Sequence, residues 1–153
     1  MKKGTGDGGG FTLIELLIAI AILAVIVTIA VPSYTSYRDR ARVAQAVADI
    51  SAMNVALQQY ITDNHAAPAN LAEVGYGGKT DPWGNPYQYT NLATAGVGGA
   101  RKNKNLVPIN SDFDLYSMGA DGKSATALTA KASRDDVILA NDGAFIGLAS
   151  DYE

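Results

Sequence analysis

The sequence predicts an α+β protein: one long N-terminal α-helix, with a hydrophobic half and an amphipathic half, followed by a small β-rich head. Three observations carry this. From Phe11 to Val31 only Thr12, Glu15 and Thr28 are not apolar. From Val43 to Ile61 the apolar residues fall three or four positions apart, the spacing of one helix face. Beyond Pro68, clusters of turn formers separate short runs with strand character. The order is a leader at 1–10, an apolar helix at 11–31, its amphipathic continuation at 32–63, and a head at 64–153. A chain of 153 residues has room for one such head once the apolar run is set aside.

The run from Phe11 to Val31 is long enough, as a helix, to cross a hydrocarbon core of roughly 30 Å. Leu16 to Thr28 shows no polar face at a period of about 3.6, so its surface meets lipid or other helices on all sides. A secretory signal peptide would use Lys2 and Lys3 as its basic region, but its apolar part usually spans roughly 7 to 15 residues. No small-x-small cleavage site closes this run before Pro32. On the N-terminal side, Gly8-Gly9-Gly10 abuts Phe11-Thr12-Leu13-Ile14-Glu15. A short basic leader ending in glycine and followed by FTLIEL resembles the class III signal of type IV pilins and type II secretion pseudopilins. The resemblance implies that a prepilin peptidase cuts between Gly10 and Phe11 and that Phe11 becomes an N-methylated first residue.

Glu15 stands where an ionised carboxylate is costly and usually marks function. An acidic side chain in the first helical turn favours the positive helix end, but only by a few tenths of a kcal/mol. The resemblance implies a partner: the N-terminal amine of a neighbouring subunit, met when the chain self-associates into a helical filament. The same run then serves twice, in membrane lipid as precursor and in the filament core after assembly.

Charge leaves orientation open. Lys2 and Lys3 precede the span, while Arg38, Arg40 and Arg42 follow it and pull the other way. The resemblance implies a single pass of the bacterial inner membrane, the leader in the cytoplasm and the head in the periplasm, and after assembly a periplasmic or surface filament. Pro32 withholds a helix hydrogen bond, which predicts a kink or local melting. Past it, Val43, Ala46, Val47, Ile50, Met53, Leu57, Tyr60 and Ile61 share a face, with Arg42, Gln45, Asp49, Gln58 and Asp63 directed away. That face is expected to pack on the protein's own head. A helix from Phe11 to about Asp63 would be roughly 80 Å long, which suits a filament subunit.

Pro68 stops the helix near Asn64, and Asn70 is placed to cap a short turn through Val74. Gly78-Lys79-Thr80 is no phosphate loop, because Glu73 stands where the earlier glycine is required. Asp81 to Pro86 is dense in turn formers, with Trp83 expected to pack beneath them. Tyr87–Thr90 and Asp114–Met118 read as paired strands. Between them, Ala93 to Asn105 reads as a solvated loop, basic at Arg101, Lys102 and Lys104, with a docking patch as the other reading. Val137–Leu139 and Phe145–Leu148 read as strands about an Asn141-Asp142-Gly143 turn.

DPWGNPYQY followed by DLYSMGADGK is similar in order and residue type to the head of the major type II secretion pseudopilins. That resemblance implies a pilin-like fold, a small antiparallel sheet packed on the long helix, with a calcium ion in its final loop. Onto this chain it carries the carbonyls of Met118 and Ala120, the carboxylate of Asp121, and one or both of Asp135 and Asp136, all hard oxygen donors of the kind calcium takes. Ser124 to Ser133 departs from the pattern, with no acidic residue and with Lys131. A plain turn carrying surface aspartates is the other reading.

The formal charge of −3 becomes one unit more negative if the leader is lost, which argues against nucleic acid as a partner. There is no cysteine. A lone His65 and no serine in a nucleophile-elbow context leave no catalytic candidate. Two functions remain: a structural subunit of a type II secretion pseudopilus, partnered by other pseudopilins and an inner-membrane assembly platform, or a subunit of a surface type IV pilus. The missing C-terminal cysteine pair favours the first. The tail and the unusual leader favour the second.

Overall fold

The computed structural model describes residues 10–152, in two compact units divided between Asp39 and Arg40. Leader residues 1–9, including Lys2, Lys3 and Asp7, lie outside the described residues. Helix α1, Leu13–Asn64, is continuous over 52 residues and belongs in part to each unit. The expected melting at Pro32 is not found, since helical backbone is retained on both sides of it. Proline removes one donor from the ladder, and the bonds before and after it remain available. The helix ends at Asn64, as Pro68 predicts, with Asn64 Nδ2 donating to the Tyr60 carbonyl at 2.9 Å and His65 turning to φ 55°.

In the first unit every large apolar side chain from Leu13 to Val31 is exposed, Leu17 least at 48%. In the second unit the predicted face is a core, except at Tyr60, whose hydroxyl donates to Glu73 Oε2 at 2.8 Å on the exposed side. Ala46, Ile50, Met53 and Leu57 are 0% exposed, and Val43, Val47 and Ile61 flank them. Burying a large aliphatic side chain contributes about 1.5–3 kcal/mol, so this stripe is a main source of the head's stability. Asp49, expected to face away, instead takes a proton donor from Tyr87 Oη at 3.0 Å and pairs with Lys79 at 3.0 Å.

The sheet against that stripe has the order β1-β2-β3-β4, every neighbour antiparallel: β1 is Gln88–Asn91, β2 Phe113–Ser117, β3 Val137–Ala140 and β4 Phe145–Leu148. The first two strands sit one residue from their expected bounds. Alternation sorts the side chains. Phe113, Leu115, Val137 and Leu139 meet the α1 stripe, while Ile138 and Ala140 meet Ile109, Leu128 and Ala149 on the opposite side. Trp83 packs at the margin of the first cluster, as expected. Asn70 caps the turn Leu71–Val74 by accepting from Ala72 N at 2.9 Å. The β3–β4 connection falls at Asn141–Gly143, where Asp142 Oδ1 accepts from Ser111 N at 2.6 Å.

One stretch read as loop is structured. Helix α2, Leu92–Gly99, is interrupted at Gly96, whose φ of 65° lies outside the helical region, and Asn91 Oδ1 caps it by accepting from Ala93 N at 3.0 Å. Three glycines in eight residues concealed it.

Candidate processing and assembly site

Gly10, Phe11 and Thr12 precede α1 in no regular structure. Phe11 is 89% exposed and Gly10 has no heavy atom near the position a Cβ would take. The Gly10–Phe11 bond therefore lies in open backbone, the form a peptidase needs, two residues before the helix begins.

Thr12 and Glu15 close the helix start reciprocally. Thr12 Oγ1 accepts from Glu15 N at 3.2 Å, and Glu15 Oε2 accepts from Thr12 N at 2.8 Å and from Thr12 Oγ1 at 2.7 Å. This is a capping box, which satisfies two otherwise unpaired donors and fixes where the helix starts. Sequence reasoning gave Glu15 only the helix dipole and a neighbour's amine. The signal for its third role was present in the Thr-x-x-Glu spacing before an apolar run.

The same helix is, by length and composition, able to cross a membrane, and its most apolar part is wholly unburied. Glu15 thus sits on a surface with no apolar cover from the chain itself.

Of the residues expected to hold calcium, Asp121 and Asp135 are brought together, and Asp136 is turned elsewhere. Asp121 N donates to Asp135 Oδ2 at 3.0 Å, which brings the turn after β2 against Asp135. Gly119 makes that approach feasible: its φ is 63°, and a Cβ there would collide with the Asp135 carbonyl. Asp121 Oδ1 accepts from Lys123 N at 2.8 Å. Asp136 is held elsewhere, 0% exposed, with its Oδ2 receiving Arg101 Nη2 at 2.6 Å and Ser124 Oγ at 2.5 Å. Burial pushes the Asp136 carboxyl up from its ordinary value, against the pull of Ser124 and Arg101. Among the described residues no group of three His, Cys, Asp or Glu side chains is gathered. Calcium takes about six to eight oxygens, and one of the three expected carboxylates is already spent on a guanidinium. The expected set that includes Asp136 does not form here, and Asp135 alone stands beside Asp121.

Arg101 is the further correction. Read as part of a solvated basic run, it is 3% exposed, whereas Lys102 and Lys104 are exposed. Its partners lie 23 and 35 positions along the chain, beyond any local pattern.

Comparison with known proteins agrees with the N-terminal geometry. Residues 9–31 match the prokaryotic N-terminal methylation motif. The type II secretion system core protein G of Pseudomonas aeruginosa is 37% identical over 135 residues, covering 74% of this chain and 84% of that protein. The protein of the same name from Escherichia coli is 31% identical, over 81% of this chain and 90% of its own. A fimbrial protein of Neisseria meningitidis is 29% identical, over 87% and 79% respectively. No solved structure matches. The methylation motif at residues 9–31 and identity of 37% and 31% over 74% and 81% of the chain, beside an exposed Gly10–Phe11 junction and a capped glutamate at the head of an unburied apolar helix, place the chain in the type IV pilin-like family, among the type II secretion core G proteins.

Proposed function

We propose that the protein is a structural subunit of a type II secretion pseudopilus, which polymerises from the inner membrane to support protein export. The observation that carries this is the contrast within α1. Its second half is covered by the chain's own sheet, whereas the apolar first half has no cover and Glu15 lies at its head. Exposed apolar surface on this scale marks an intermolecular or membrane contact. Lipid covers the half in the stored precursor. Neighbouring copies cover it in the filament, where Glu15 leaves its own cap and meets a neighbour's N-terminal amine. Prepilin peptidase acts first, at Gly10–Phe11. Growth proceeds on an inner-membrane platform with other pseudopilins, and the head lies in the periplasm.

An enzymatic role finds no support. Ser111, His65 and Asp112 line one groove of about 430 Å³. The Ser111 hydroxyl and backbone N both donate to the Asp142 carboxylate, at 2.8 and 2.6 Å, a pairing that ties this loop to the β3–β4 turn and is not directed at His65.

Similarity to a fimbrial protein favours a second reading, a surface type IV pilus subunit. Deleting the gene separates the two. Loss of secreted proteins with intact surface fibres supports the pseudopilus, and loss of surface fibres with normal secretion supports the pilus.

A further inference from the structure

Arg101 enters the fold just after α2, and its guanidinium lies against three segments. The guanidinium carbon is 3.9 Å from the centre of the Tyr116 ring on β2. Nη1 donates to Ser124 Oγ at 2.7 Å and Nη2 pairs with Asp136 Oδ2 at 2.6 Å, which ties the interior of the long β2–β3 connection to its last residue. The Arg101 backbone joins in: its N donates to Asp114 Oδ2 at 2.7 Å and its carbonyl accepts from Ile109 N at 3.1 Å. A planar, permanently charged fork can stack on an aromatic ring and bind oxygens in its own plane at once. A carboxylate as buried as Asp136 requires such a partner.

We infer that Arg101 is the resident cation of the head, holding the β2–β3 connection and neutralising Asp136 where the resemblance implies calcium, so that the folded head does not depend on a metal ion. The placement of Asp136 carries this, since the carboxylate that would complete a calcium set with Asp121 and Asp135 is turned to the guanidinium. Asp136 Oδ1 and Arg101 Nε have no hydrogen-bond partner and are buried. That open oxygen is the atom through which a metal would compete, so calcium itself is the probe.

The experiment is thermal unfolding of the full chain in detergent, with added calcium chloride or with excess EDTA, followed by Trp83 fluorescence. The two midpoints are expected to agree within about 5 °C. Arg101→Met is expected to lower the midpoint by at least about 10 °C in both conditions, because Asp136 is left buried and unpaired. Combining Arg101→Met with Asp136→Leu should restore part of that loss, the signature of a coupled pair. If Arg101→Met does not accumulate, Arg101→Lys serves instead: it keeps the charge, loses the fork, and is expected to melt lower than the parent. A calcium-dependent rise of more than about 5 °C in the parent chain overturns the inference. So does an unchanged midpoint in the arginine variant.

Discussion

The two halves of α1 share the same aliphatic side chains, and those side chains meet opposite fates. Ile18, Ile22 and Ile29 are each more than half exposed, while Ile50 is completely buried. Side-chain chemistry does not separate them. What differs is the pattern: the first half is apolar all round, so no single sheet could cover it, and the second is apolar on one stripe, which a four-stranded sheet can cover. One helix therefore holds a surface satisfied within the molecule and a surface that only lipid or other molecules satisfy.

The sharpest way to break that comparison is Glu15→Val. It should leave membrane insertion and processing at Gly10 intact and abolish filaments, read by N-terminal sequencing and electron microscopy; normal filaments from this variant would sink the assembly role of Glu15. Next in size is a matched pair of truncations. Met53→Ala should destabilise the head by about 2–5 kcal/mol through the cavity it leaves. Leu23→Ala should leave head unfolding unchanged and weaken the filament, and equal effects of the two on head stability would erase the distinction between the halves.

The smallest effect concerns charge on the covered half. Burial raises the Asp49 carboxyl, but hydrogen bonds from Lys79, Tyr87 and Gln45 outweigh it and hold it below its ordinary value of 3.8. A carboxyl depressed in the folded state stabilises fully above its unfolded value and loses that contribution as pH falls through its folded one. Acid titration of head stability should therefore show this loss beginning only below about pH 4. Lys79→Met should shrink it, at a cost of about 0.2–1 kcal/mol near neutrality. An acid profile identical to the parent's would remove Lys79 from the account.

Legibility followed sequence distance. The buried stripe from Val43 to Ile61 was readable because helix periodicity is local, and the β3–β4 hairpin because its turn residues adjoin its strands. Asp49 was misjudged because Lys79 and Tyr87, which reach over it, come from a loop some thirty residues away. Arg101 was misread for the same reason on a larger scale, since a charge run reads as solvated unless its distant acceptors are known. The Thr12–Glu15 cap was local and legible, and was eclipsed by the more costly question of a carboxylate in an apolar helix.

The sheet has a consequence for crowding. Heads of a polymer are held side by side at very high local concentration, where an unpaired strand edge is a template for uncontrolled zipping. Both rims here are short: β1 and β4 have four residues each, β1 runs directly into α2, and β4 into the turn Ala149–Asp151. Their brevity offers a neighbour too few free backbone groups to extend a ladder, which keeps cohesion along the fibre with the helices and leaves the sheets as passengers.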